Sequence, residues 1–351
     1  MKEIFSKRLK SARKMLGLSM DKLVERMDGI VSKNAISKYE NAEMMPNSTV
    51  LLALCNALGV KPDYMFRPFS LELGEFEFRK KASLGVKDIN RIKGEISDYI
   101  ERYFELEEIT AESHDFINPV SNINILNFDD VETAAAKLRK DWKLGNSSID
   151  SVVELLEYNN IKVIEIEAPE KFDGSCTLVN NQYPVIVLNK NYSNERKRFT
   201  ALHELGHLVL DIANSADNKV HESYCNRFAG ALLLAQDVVY KTIGTQRHRV
   251  STYELDEIQK KYGISIDAIM YRLKDLRVIT ANNHRYFCIR KNKEKSFKSY
   301  VEQSRYNTNE VSNRFNRLLA KSISEELISY SKAAAISLRT VNELKQDIIL
   351  A

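Results

Sequence analysis

ERKRFTALHELGHLVLD, residues 195–211, is the stretch on which the fold of this chain turns. Phe199, Leu202, Leu205, Leu208 and Val209 recur at helical spacing, and a helix is predicted to begin after Ser193-Asn194-Glu195. On that helix His203 and His207 stand four residues apart, so both imidazoles leave one face and can bind one metal ion. Glu204 sits beside the first of them, placed to act on a metal-bound water rather than to ligate. Gly206 lets another segment approach closely. Imidazole with carboxylate and an open position suits zinc, one ion per chain. A third protein ligand is required, and Asp211, His221 and Glu222 are the candidates. Asp211 would spread three ligands over two turns of one straight helix, which is poor tetrahedral geometry. His221 and Glu222 open the next apolar helix, HESYCNRFAGALLLA, which can cross the first.

Upstream, helices are predicted from Asp129 to Trp142 and through VVELLEYNN, and strands at 162–166, after the turn at Asp173-Gly174, and at YPVIVLN, 183–189. The fold class is therefore mainly α with a small β-sheet, an α+β chain. The ALHELGH helix, the Glu222-x-x-Cys225-Asn226-Arg227-Phe228-Ala229 helix and the YPVIVLN strand resemble the ImmA/IrrE family of metallopeptidases over roughly residues 129–280. Cys225 stands where that family carries Ala, and Leu233-Leu234-Ala235 where it usually carries Leu-Met-Pro. The resemblance implies a zincin-like core with a gluzincin-like zinc site. It also implies Glu222 as the third ligand and cleavage of a transcriptional repressor during stress or mobile-element induction.

Residues 1–68 hold 12 Lys/Arg and 7 Asp/Glu, a net +5, while the rest of the chain sums to −1. A basic end module on a neutral body points to a polyanion, most simply double-stranded DNA. Short helices are predicted here, with Ser19 and Ser32 as caps and a tight turn at Asp28-Gly29-Ile30-Val31. The segment SMDKLVERMDGIVSKNAISKYENAEMMP resembles the Xre/Cro phage-repressor type of helix-turn-helix. That resemblance implies a third helix in the major groove, led by Ser32, Lys33, Asn34, Ser37 and Lys38. Asn34 can read adenine, and Lys33 and Lys38 can reach guanine or phosphate. Met20 stands where that type usually has a phosphate-contacting Gln, and Arg13 with Glu40 matches a pair that holds the fold.

The domains expected are a helix-turn-helix at 1–68, a connector at 69–128, a metallopeptidase at 129–280 and a helical C-terminal region at 281–351. In the connector, Phe69 to Phe78 alternates like a strand, and 87–108 reads as a charged helix with an Ile92, Ile96, Ile100 stripe, expected to dock on the peptidase core. Beyond the site, Ser251–Ile279 reads as two helices around Gly263, resembling a winged-helix-like stretch of the family. Arg285–Ile289 reads as a short strand, and His284 as an exposed residue without a metal role. The tail from Val311 is expected to be helical, either a small cap or dimerisation bundle or a degenerate second helix-turn-helix.

Four widely spaced cysteines argue for a reducing compartment and against a disulfide framework. The basic N-terminus lacks the apolar run of a signal peptide, and no apolar window approaches 18 residues, so a cytoplasmic chain without membrane spans is expected. Two functions compete. One is a DNA-binding regulator whose zinc endopeptidase, with Glu204 as catalytic base, cleaves a regulatory protein, a second copy of this chain among the candidates. The other is a DNA-binding antitoxin or repressor, partnered by a toxin, whose zinc site is structural or sensory. The intact His203, Glu204, His207 set favours the first, because a purely structural site has no use for Glu204. A homodimer on a palindromic operator fits either.

Overall fold

The computed structural model describes residues 1–67, 74, 85–212 and 217–348. Along the chain, α1 (Lys2–Met15), α2 (Met20–Arg26), α3 (Lys33–Glu40) and α4 (Ser48–Leu58) precede a 3-10 turn at Pro62–Phe66 and the long α5 (Val86–Thr110). There follow β1 (Asn124–Ile125), α6 (Phe128–Asp141), α7 (Val152–Tyr158), β2 (Lys162–Ile166), β3 (Gly174–Val179), β4 (Tyr183–Asn189), α8 (Asn194–Val209), β5 (Asp211–Ile212) and α9 (Asn218–Leu233). Helices then continue as α10 (Gln236–Thr242), α11 (Thr252–Tyr262), α12 (Ile266–Asp275), α13 (Ala281–Lys293), α14 (Lys295–Glu302), α15 (Arg314–Ser324), α16 (Tyr330–Ser337) and α17 (Val341–Asp347). The fold is mainly helical with a small sheet. None of the described helices is long and apolar enough to cross a membrane.

Contacts divide the chain into two compact units. The first joins residues 1–73, 79–113 and 318–351. In it Ser19, Ser32 and Asn47 cap α2, α3 and α4, each side-chain oxygen accepting from an amide three residues on. Phe5, Leu9, Leu23, Ile36 and Leu54 bury completely between these helices. Arg13 donates to both oxygens of Glu40 at 2.5 and 2.7 Å, locking α1 to α3.

The stripe Ile92, Ile96 and Ile100 of α5 is buried, but its helix does not belong with the peptidase-like unit, contrary to the sequence expectation. It packs on α1 instead, where a Cβ on Gly94 would strike the Met15 side chain. Arg8 of α1 pairs with Glu101 at 2.6 Å, and Arg102 donates to the Ile336 carbonyl of α16 at 2.8 Å. Burial pushes the Glu101 carboxyl above its ordinary range, and Arg8 only partly offsets this. Periodicity shows that a face is buried; these polar contacts, distant in sequence, select what it is buried against. The strand expected at 69–78 lies outside the described residues apart from Gly74, whose amide donates to the Leu178 carbonyl at 2.9 Å.

The second unit spans 74–78 and 114–317. Its sheet has the order β2-β4-β3, with β2 parallel and β3 antiparallel to the central β4. Every residue of β4 after Tyr183 is buried, as expected of a strand covered on both faces. Helix α8, capped by Ser193, lies on β3 and β4; α9 packs on α8, and α6 on α9. A short parallel bridge, β1 with β5, closes the chain after α8.

Downstream, α11 and α12 form the two helices expected around Gly263, and α12 packs on α9. Helix α9 stops at Leu233, and α10 starts three residues later. The strand expected at Arg285–Ile289 is instead part of α13. Thr280 caps that helix, and His284 and Phe287, three apart, bury on one side, a helical spacing obscured by the aromatic and β-branched run. His284 is correspondingly buried rather than exposed, its ring 4.4 Å from that of Tyr271, and burial holds its pKa below the usual histidine value.

Candidate metal centre

Helix α8 presents His203 and His207 on one face, their Nε2 atoms 3.2 Å apart. Helix α9 brings Glu222 to them. One carboxylate oxygen lies 3.3 Å from His203 Nε2 and the other 3.6 Å from His207 Nε2. Ligands held about 2.0–2.2 Å from a tetrahedral zinc stand about 3.3–3.6 Å from one another. The three separations fit that edge length, and two imidazoles with one carboxylate match the donor preference of zinc. Among the described residues this is the one trio of His, Cys, Asp or Glu whose ligand atoms lie within 4.8 Å of one another.

Asp211 and His221, the other candidates, fall outside that trio. Asp211 lies in β5, exposed, where the chain has left helical geometry. The close approach of α9 depends on Gly206. A Cβ there would lie 3.2 Å from both Cα and Cβ of Cys225, tighter than ordinary packing. Cys225 is fully buried against that glycine and is not part of the trio. Glu204, one residue beyond His203, is buried at 8% exposure.

On α3, Asn34 and Lys38 are exposed and Ser37 is half-buried, while Ile36 and Tyr39 face the core. The Ser32 hydroxyl accepts from the Ala35 amide, so it is engaged as the helix cap. Lys33 pairs with Asp21 at 2.8 Å in an exposed bridge, the kind worth about 0–1 kcal/mol.

Residues 9–65 match the family model described as Helix-turn-helix, and residues 156–274 match the one described as IrrE N-terminal-like domain. The chain carries both domains. The radiation response metalloprotease IrrE of Deinococcus radiodurans is similar, at 26% identity over 106 residues that cover 27% of this chain and 32% of that protein. The chain thus aligns with about a third of that relative's length. No solved structure matches the chain.

The IrrE N-terminal-like match includes His203, Glu204, His207 and Glu222. The same unit holds a set of buried and half-buried charges for which no motif in the sequence offered a signal. Glu132 of α6 accepts from Arg227 of α9 and from both terminal nitrogens of Arg272 on α12. Burial alone would raise the Glu132 carboxyl, but the two guanidinium groups outweigh it and hold it below the ordinary range. Arg198 of α8 and Glu310 are both fully buried and paired, and Glu310 also accepts from the amides of Val152 and Val153 at the start of α7. These partners stand more than 90 residues apart in the sequence, too far for any spacing rule.

Proposed function

We propose that this chain is a transcriptional regulator that binds an operator through α3 and carries a zinc-dependent endopeptidase that cleaves a regulatory protein in the cytoplasm. The convergence of His203, His207 and Glu222 from two helices carries the reading. Those three residues would hold one zinc ion. When bound, zinc supplies Lewis acidity toward water and a peptide carbonyl. Glu204 is assigned the proton transfers: its carboxylate takes a proton from the attacking water and returns it to the departing amine nitrogen. Its buried position keeps bulk water from competing for that proton. Ser32, Lys33, Asn34, Ser37 and Lys38 are assigned to DNA, with Asn34 and Lys38 the base-reading candidates and Ser32 acting mainly as the cap.

The test is to incubate zinc-loaded wild-type and Glu204→Gln protein with candidate repressors, this chain included. Cleavage by wild type alone, with equal zinc in both, is the expected result. Full zinc and operator binding without cleavage of any repressor by wild type would replace the endopeptidase with the sensory antitoxin reading.

A further inference from the structure

A cavity of about 930 Å³ lies among α8, α9, α12 and the chain that follows α14. It begins next to the metal trio. Phe199 precedes His203 by four residues on α8, and Asn226 follows Glu222 by four on α9; both line the cavity. Cavity and trio therefore occupy successive turns of the same two helix faces, about 6 Å apart along each axis.

The charges around it are satisfied within the protein. Arg227 and Arg272 are held by Glu132, Lys291 by Asp267 and Glu302, Lys274 by Asp275 and Arg196 by Asp173, and Glu195 accepts from Ser304, Gln259 and the Arg305 amide. The cavity thus offers a ligand little net charge. It offers aromatic walls instead: Phe128 and Tyr271 keep 45% and 53% of their surface exposed, with Phe199 between core and cavity. Asn226 adds an exposed amide able to donate and accept. The volume sits near the top of the roughly 300–1,000 Å³ range of ligand pockets, more than one side chain requires.

We propose that this cavity receives the stretch of polypeptide flanking the scissile bond, and that its aromatic walls select a large apolar or aromatic side chain at a fixed distance from that bond. The inference rests on the endopeptidase reading, and it names the specificity of the same site. Asn226 hydrogen-bonds the backbone of the bound stretch, and the aromatic walls enclose its side chain.

The test separates binding from cleavage. Zinc-loaded full-length Glu204→Gln protein is mixed with a pool of acetylated, amidated random hexapeptides, and the retained peptides are read by mass spectrometry. Enrichment of Phe, Tyr, Trp, Leu or Met at one position is expected, and Ala268→Trp, which fills the cavity, should cut that enrichment at least tenfold with zinc content unchanged. Tyr271→Ala, at an exposed wall position, serves as the second variant and should lower it severalfold. Absence of enrichment, or enrichment identical in both variants, overturns the proposal, as does retention of small aromatic molecules with no peptide. If peptides are enriched yet wild type cleaves none of them, the endopeptidase reading fails while the peptide subsite stands.

Discussion

Gly206 sets the spacing of the metal trio by having no side chain. Adding a methyl group would press on the backbone of Cys225, three residues after Glu222, and push α9 away from α8. Gly206→Ala is expected to cost about 1–3 kcal/mol of stability, as overpacking does, and to weaken zinc affinity; denaturation and competition with a zinc chelator would measure both. The ligand assignment is tested by metal content. His203→Ala and Glu222→Ala should lose most of the zinc, whereas Glu204→Gln should keep it. Full zinc in Glu222→Ala together with loss in His221→Ala would show that the wrong residue of that pair had been assigned.

Helices α6, α9 and α12 are clamped by a single carboxylate. Glu132→Gln leaves two guanidinium groups facing a neutral amide, and removing one partner of such a buried set costs about 3 kcal/mol. Because the folded-state pKa of Glu132 is depressed, its contribution is fully present above the unfolded value, about 4.3, and is lost as pH falls through the folded one. Urea titrations between neutral and acid pH should show the wild-type advantage over Glu132→Gln shrinking in that acid window. Steady destabilisation at every pH would mean that the clamp works by packing alone. Helix α5 is held differently, by its apolar stripe within the helix-turn-helix unit. Ile96→Asp forfeits about 1.5–3 kcal/mol of burial and adds a buried charge, so melting of that unit and faster limited proteolysis are expected. Unaltered melting and digestion patterns would show that the stripe is not what holds α5.

Across the whole molecule, the metal trio and α3, the proposed operator-reading helix, belong to different compact units. Chelation should therefore strip zinc while leaving operator affinity within error, as read by fluorescence anisotropy. A large drop on chelation would show that zinc and DNA binding are coupled. Asn34→Ala and Lys38→Ala should each weaken operator binding by about 1–3 kcal/mol for a base-reading contact, with affinity falling as salt rises. A footprint unchanged in the double variant would remove α3 from the groove. If the chain dimerises, half-sites about one helical turn, roughly 34–36 Å, apart are expected.

Features governed by neighbours within a turn or two were legible in the sequence. The caps at Ser19 and Ser32, the single face shared by His203 and His207, the strands before α8 and the permissive Gly206 all follow from local spacing and backbone chemistry. The helix of α13 was local too, but its Arg-Tyr-Phe-Cys-Ile run, aromatic and β-branched, suits a short strand as well, and only the burial of His284 with Phe287 breaks the tie. The third metal-capable residue was narrowed to Asp211, His221 and Glu222 by position; which carboxylate meets the histidines depends on where α9 crosses α8. The partner of α5, the Glu132 clamp, the Arg198–Glu310 pair and the cavity beside the trio had no counterpart in any periodicity. They join residues up to 234 positions apart, and no local preference encodes which distant charge fills a buried vacancy until the chain has packed around it.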